Sequence, residues 1–248
     1  MTAAARSAVV TGASRGIGRG IALDLAQRGW RLTLVARDPS RLAAAALELT
    51  AAGASHVECV EVDLAAPEAP AAVVAAHAVH HDSLDALVLA AGVGSAAPLH
   101  GYQTHRYDKQ FALNTRAPFL LIRDALPMLR TAASRRPSHG AKVIALASIG
   151  GVYAEPSLAV YGATKAALLA LCRGFNAEES GAGVTATAIA PGYVDTDMSA
   201  WVHDSVPPSA MIPVSDVVTA VSALLSLSPR TVVNELVLSR AGTKGYEA

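Results

Sequence analysis

Ala8-Val9-Val10-Thr11-Gly12-Ala13-Ser14-Arg15-Gly16-Ile17-Gly18 is an apolar run that breaks into a glycine-rich turn and then into a helical pattern. Ile17, Ile21 and Leu25 share one face of a helix predicted from about Gly16 to Arg28. Glycines at such a turn let the chain reverse tightly and let a pyrophosphate approach the helix N-terminus. The spacing is G-x-x-x-G-x-G, not the more usual G-x-G-x-x-G. Alone it is a weak signal. After the first strand of a chain that alternates strand and helix, it favours a dinucleotide site over a plain connection.

The rest of the chain supplies that alternation. Strands are predicted at Arg31 to Ala36, Val57 to Val62, Asp85 to Ala90, Lys142 to Ser148, Val184 to Ala190 and Val232 to Leu238. Between them, Asp38-Pro39 caps and opens one helix, and Pro67 opens another. A long helix runs from about Thr104 to Arg130, and Ser215 caps a short one through Leu225. Thr131 to Gly140 reads as an exposed loop. Strands alternating with helices imply an α/β fold: a seven-stranded parallel sheet with helices on both faces, doubly wound in the Rossmann manner. With 248 residues and no internal repeat, residues 1–248 read as a single domain.

Composition narrows the function. The net charge is zero, so no basic face points to nucleic acid and no acidic block points to disorder. The 52 % hydrophobic content comes largely from alanine, and the apolar runs break well before membrane-spanning length. No signal peptide is evident at the start, and the two widely spaced cysteines predict a reduced cytoplasm. Cys59 and Cys172 fit no ligand or redox spacing and are expected to be inert. His80 and His81 are neighbours that do not share a helical face, so both are read as solvated and no metal site is expected.

The end of strand two selects between cofactors. An acidic residue there binds the 2′-hydroxyl of NAD, whereas an arginine accommodates the 2′-phosphate of NADP. Here the strand ends in Arg37, and with Arg15 it could clamp a phosphate by charge-assisted hydrogen bonds. Asp38 is read as a helix cap. NADP(H) is expected over NAD(H).

A second stretch carries chemistry: Ser148-Ile-Gly-Gly-Val-Tyr-Ala-Glu-Pro-Ser-Leu-Ala-Val-Tyr-Gly-Ala-Thr-Lys165. Pro156 and Ser157 predict the start of a helix that carries Tyr161 and Lys165, four residues apart on one face. The same stripe continues through Leu168 and Cys172, so it faces inward. A free phenol, with a pKa of about 10, is a poor base at neutral pH. An ammonium about 4 Å away would favour the phenolate by roughly 4 kcal/mol at an effective dielectric near 20. The Ser148 hydroxyl could hold the oxygen of a carbonyl or alcohol. A Tyr and a Lys at helical spacing also occur by chance, so the order of motifs decides.

In that order the sequence resembles the compact branch of the short-chain dehydrogenase/reductase family over nearly its whole length. The resemblance implies a catalytic tetrad of Asn114, Ser148, Tyr161 and Lys165. Tyr161 would exchange the proton and Ser148 would position the substrate oxygen. Lys165 would lower the tyrosine pKa and hold the nicotinamide ribose, and Asn114 would support a water that relays protons to Lys165. The resemblance also implies cofactor contacts from Gly12, Ser14, Arg15, Gly16, Ile17, Gly18 and Arg37. Further contacts are implied from Asp63 and Leu64, from Ala91 and Gly92, from Tyr161 and Lys165, and from Pro191, Gly192, Val194 and Thr196. Residues 197–213 match the segment that covers substrate in relatives. Ala90 departs from the family's usual Asn, an amide that ties neighbouring strand ends together.

Val93, Ile149, Tyr153, Leu158, Tyr193, Met198 and Trp201 are candidate substrate contacts. Their apolar character points to a hydrophobic ketone or a 3-oxoacyl compound. A homo-oligomer, a tetramer or dimer, is implied by the resemblance. Two rival readings are a nucleotide-sensing protein without turnover and a sugar-nucleotide epimerase or dehydratase of the extended branch. The intact Ser, Tyr and Lys set weighs against the first. The glycine spacing and modest C-terminal length weigh against the second.

Overall fold

A computed structural model describes residues 5–244. Seven strands form one sheet: β1 Ser7–Thr11, β2 Arg31–Ala36, β3 His56–Glu61, β4 Ala86–Leu89, β5 Ala141–Leu146, β6 Val184–Pro191 and β7 Glu235–Leu238. Their order is β3-β2-β1-β4-β5-β6-β7, and every pairing is parallel. This is the doubly wound α/β architecture expected from the alternation. The order reverses between β1 and β4, where ligands of open parallel sheets collect beyond the strand ends.

Helices cover both faces, as a sheet buried on two sides requires. On one face α1 Gly16–Gln27, α2 Pro39–Ala51 and α7 Val214–Ser226 pack through Ile21, Leu25, Leu42, Leu49 and Val221 onto Ala8, Val10, Leu32 and Leu34. On the other, α3 Ala69–His80, α5 Ala117–Arg135 and α6 Ala159–Glu179 pack through Val73, Leu121, Leu129, Leu168 and Cys172 onto Val9, Leu87, Val143 and Ala186. Alternate residues of one strand thus serve opposite layers. Among the described residues no helix is long and apolar enough to cross a membrane.

Several expectations need correction. The long helix is three pieces: α4 Thr104–Phe111, a π turn Ala112–Arg116 and α5, which continues to Arg135. Pro118 has no N–H for the carbonyl of Asn114 four residues back, which favours the wider turn there. Residues 131–135 are therefore helical, and the connection is shorter than the predicted loop. The helix that carries Tyr161 begins at Ala159, because Ser157 adopts a left-handed φ of 65° and its carbonyl accepts from Ala97 N at 2.9 Å. The third helix opens at Ala69, with Pro67 in the preceding turn. Ser215 sits inside α7, whose first flanking residue is Pro213, and it makes no cap. Asp38 does cap α2, accepting from Arg41 N at 3.0 Å. Burial raises both thiols, Cys172 to about 12, consistent with inert cysteines.

The histidines differ most from expectation. His81 is 6 % exposed, and three residues before the His80-His81 pair His77 is 1 % exposed. His77 Nδ1 lies 2.8 Å from Thr33 Oγ1 and Nε2 lies 3.4 Å from the Ser83 carbonyl, an arrangement that suits a neutral ring with its proton on Nε2. Burial first, then the charges of His81, Arg31 and His56, lowers its pKa from 6.5 to about 4. The folded chain therefore binds fewer protons here than the unfolded chain between these values. The contribution is fully present above pH 6.5 and is lost as pH falls toward 4. The shift corresponds to about 3 kcal/mol. Urea unfolding at about pH 7.5 and about pH 4.5 measures the loss, and His77→Asn should remove this part of the slope.

Candidate active site

The strands end level with one another: Thr11 pairs with Val35 and with Leu89, and Ala36 pairs with Glu61. The segments that follow these ends meet around one cleft of about 510 Å³. Gly12 has a φ of +66°, and a Cβ there would lie 2.9 Å from Ala90 O and Ala91 N. Only a glycine allows β1 to turn this close to the end of β4. The Thr11 hydroxyl accepts from Ala90 N at 3.0 Å and Ala91 N at 3.1 Å. It therefore ties β1 to β4 at the position where the family's usual Asn is replaced by Ala90.

The cleft is lined both by the glycine turn and by Ser148, Tyr161 and Lys165. Arg15, Arg37, Asp63, Leu64, Ala91, Gly92, Pro191, Gly192, Val194 and Thr196 also line it, together with Gly12, Ser14, Gly16, Ile17 and Gly18. Every residue assigned to the cofactor from sequence thus borders one space. Arg15 Nη1 pairs with Asp197 at 3.1 Å, and Arg37 Nη1 lies 4.0 Å from Asp63. All four side chains are more than half exposed, so these pairs are weak and both guanidinium groups can turn to another anion. Asp63 also accepts from Ala65 N at 3.0 Å, closing the turn after β3. A glycine turn with two arginines on the same cleft suits the phosphates of a dinucleotide.

Asn114 lies one layer behind the cleft, in the π turn. Its Oδ1 accepts from Val93 N at 2.9 Å, and its Nδ2 donates to Val93 O at 2.8 Å and Thr164 Oγ1 at 3.1 Å. It pins the segment after β4 to α6. A Cβ on Gly92 would lie 3.3 Å from Asn114 Oδ1 and 3.5 Å from Lys165 Nζ, so these two side chains flank Gly92.

Tyr161 and Lys165 do share a helix face, yet their electrostatics differ from the sequence argument. Lys165 Nζ sits 5.7 Å from the Tyr161 ring centre and donates to Leu146 O at 2.7 Å. Burial pushes the Lys165 ammonium down to about 8. Burial also raises the Tyr161 phenol above its ordinary value, with the Glu155 charge adding to the rise. A hydrogen bond with Ser148 pulls the other way. Desolvation of the phenolate outweighs a lysine aimed at a backbone carbonyl, so the phenol is not brought toward neutrality here. The Ser148 hydroxyl also accepts from Gly150 N at 3.2 Å, which fixes the turn after β5.

Five of the seven predicted substrate contacts, Val93, Leu158, Tyr193, Met198 and Trp201, line the cleft. Ile149 and Tyr153 instead line a second cavity of about 530 Å³ that shares Glu155, Tyr193 and Trp201 with the first. Residues 197–213 contribute Asp197, Met198, Ser199 and Trp201 to the first cavity and Trp201, Val202, Ser205 and Val206 to the second. Asp195 N donates to Ile212 O and Ile212 N to Tyr193 O, both at 2.9 Å, so the two ends of the segment are held together. Sequence reasoning missed Glu155. Its Oε1 accepts from the Tyr193 hydroxyl at 2.9 Å, while its Oε2 is shielded from solvent and has no protein partner. Its only sequence signal is a carboxylate six residues before Tyr161.

Comparison with known proteins identifies the family. A family model described as short chain dehydrogenase matches residues 6–206. A rhamnolipids biosynthesis 3-oxoacyl-[acyl-carrier-protein] reductase of Pseudomonas aeruginosa is 35 % identical over 197 residues, 79 % of this chain and 75 % of that protein. The 3-oxoacyl-[acyl-carrier-protein] reductase FabG of Staphylococcus aureus is 32 % identical over 199 residues, 80 % of this chain and 78 % of that protein. Among solved structures, the Pseudomonas aeruginosa RhlG/NADP active-site complex superposes with a TM-score of 0.85 at 28 % identity, covering 96 % of this chain and 95 % of that one. The chain belongs to the short-chain dehydrogenase family of oxidoreductases.

Proposed function

We propose that the chain is an NADP(H)-dependent oxidoreductase that interconverts a carbonyl and a secondary alcohol. One observation carries the reading. Ser148, Tyr161 and Lys165 border the same cleft as the glycine turn and its two arginines. A bound nicotinamide supplies or accepts the hydride. The chain's own residues handle the proton and the oxygen. Tyr161, with its raised pKa, keeps its proton at neutral pH, the state needed to protonate a carbonyl oxygen during reduction. Ser148 hydrogen-bonds the same oxygen. Lys165 holds the nicotinamide ribose beside them. Asn114 keeps the wall around Val93 and Thr164 in place.

The substrate reading is a hydrophobic ketone or a 3-oxoacyl compound. The apolar lining by Val93, Leu158, Met198 and Trp201 supports it, as do the names of the two relatives. Glu155 adds one acceptor for a substrate donor. Following the family, we place the protein in the cytoplasm as a homo-oligomer, a dimer or tetramer. The discriminating experiment mixes the protein with NADPH and a panel of ketones and 3-oxoacyl thioesters and follows cofactor absorbance. Nucleotide binding without turnover on any member would favour a sensing role instead.

Arg37 carries the cofactor preference. Arg37→Asp should lower kcat/KM for NADPH by roughly 10–100-fold, the equivalent of losing a charged hydrogen bond, and should improve NADH relative to it. An unchanged ratio between the two cofactors rejects the phosphate clamp.

A further inference from the structure

The end of the sheet opposite the cleft gathers four imidazoles, where α3 finishes beside the edge strand β3. Ring centroids of His56 and His80 are 4.8 Å apart, those of His56 and His81 5.4 Å, and those of His77 and His81 4.5 Å. Glu58 follows His56 by two residues, so strand alternation puts both on one face. Glu58 Oε2 lies 3.5 Å from His80 Nε2. One ligand atom from each of His56, Glu58 and His80 falls within 4.8 Å of the others. The Nε2 atoms of His56 and His81 are shielded from solvent and have no partner in the protein.

We propose that His56, Glu58 and His80 form a binding site for a divalent transition-metal ion of the zinc type, clipping edge strand β3 to the end of α3. Two imidazoles and a carboxylate are a donor set that zinc accepts, whereas hard cations such as magnesium seek oxygens alone. With tetrahedral bonds of about 2.0–2.1 Å, neighbouring donor atoms lie about 3.4 Å apart. The His80 and Glu58 atoms already hold that separation. His80 is exposed and can swing to close the remaining distance to His56. A surface ion pair between Glu58 and His80 would leave the shielded Nε2 of His56 unexplained. His81 packs edge-on against the His56 ring and tilted to His80, which steadies both. Three protein donors leave the fourth position open to solvent.

The test uses full-length protein stripped with EDTA. Zinc chloride is titrated by calorimetry, and thermal melting follows at increasing zinc. A single ion should bind per chain, and Tm should rise with zinc concentration. His80→Gln and Glu58→Gln should weaken binding by at least roughly 10–100-fold and remove the rise. His139→Gln, at an exposed histidine outside the cluster, should leave both intact. Melts in EDTA establish that each variant is folded. Magnesium should give no rise. Equal zinc affinity in the parent and His80→Gln, or no zinc-dependent rise in the parent, overturns the site.

Discussion

Tyr161→Phe should lower kcat by roughly 10²–10⁴-fold, the range that a positioned acid or base contributes, while nucleotide binding stays measurable. The substitution removes one oxygen and leaves the ring, whose Cδ2 and Cε2 atoms pack about 3.5 Å from where a Gly94 Cβ would stand. Ser148 loses its phenol partner but keeps the bond from Gly150 N, so the turn after β5 should hold its shape. Nothing in the glycine turn or at Arg37 is disturbed. Steady-state turnover on a reducible ketone and nucleotide binding by fluorescence separate the two effects. Undiminished turnover would remove Tyr161 from the chemistry. Loss of both turnover and binding would show the residue acting on structure instead.

Gly18→Ala should disrupt the glycine turn that lines the same cleft. A Cβ at position 18 would lie 2.4 Å from Gly12 O, 2.8 Å from Gly12 C and 3.1 Å from Thr11 O. All three are backbone atoms at the end of β1 and in the turn that follows it, so no flexible side chain can give way. Overpacking of this kind costs about 3 kcal/mol. For a chain of this length that corresponds to a fall in Tm of roughly 6–12 °C. If the turn yields instead, the cradle opens and NADPH affinity falls. Gly174→Ala supplies the contrast. Gly174 lies within α6 with nothing within 4 Å of its would-be Cβ, so alanine there should stabilise by about 1 kcal/mol through helix propensity. Melting curves of the two variants, with and without NADPH, check both results. Unaltered Tm and affinity in Gly18→Ala would mean that the turn is not packed as described.

The sheet was legible because its signals are local. Ala8 to Gly18 shows strand, turn and helix within one short stretch, and runs such as Arg31 to Ala36 reappear with the predicted bounds. Tyr161 and Lys165 were legible because helical spacing alone puts them on one face. What stayed hidden depends on contacts far apart in sequence. Burial of His77 requires Thr33 on a neighbouring strand, and the left-handed Ser157 requires the amide of Ala97. The raised Tyr161 pKa comes first from burial that only the assembled fold creates, and Lys165 turns to Leu146 O, a partner 19 residues away. Glu155 had no periodicity to mark it, only a place beside Tyr193 that the fold creates.

The widened turn at Ala112–Arg116 has a consequence for how the protein tolerates change. A π turn holds one residue more than an α turn, and each residue of an α-helix advances about 100° around the axis. The two halves of this rod are therefore phased differently. The front half offers Gln110 to Tyr102 and Ser95, while the rear half offers Leu121 and Leu129 to the sheet. Removing a single residue from the widened turn would restore an unbroken spiral and rotate one of these halves away from its partners. The rod thus couples the clasp of Asn114 on Val93 to the seating of α5, although the two share no side-chain chemistry.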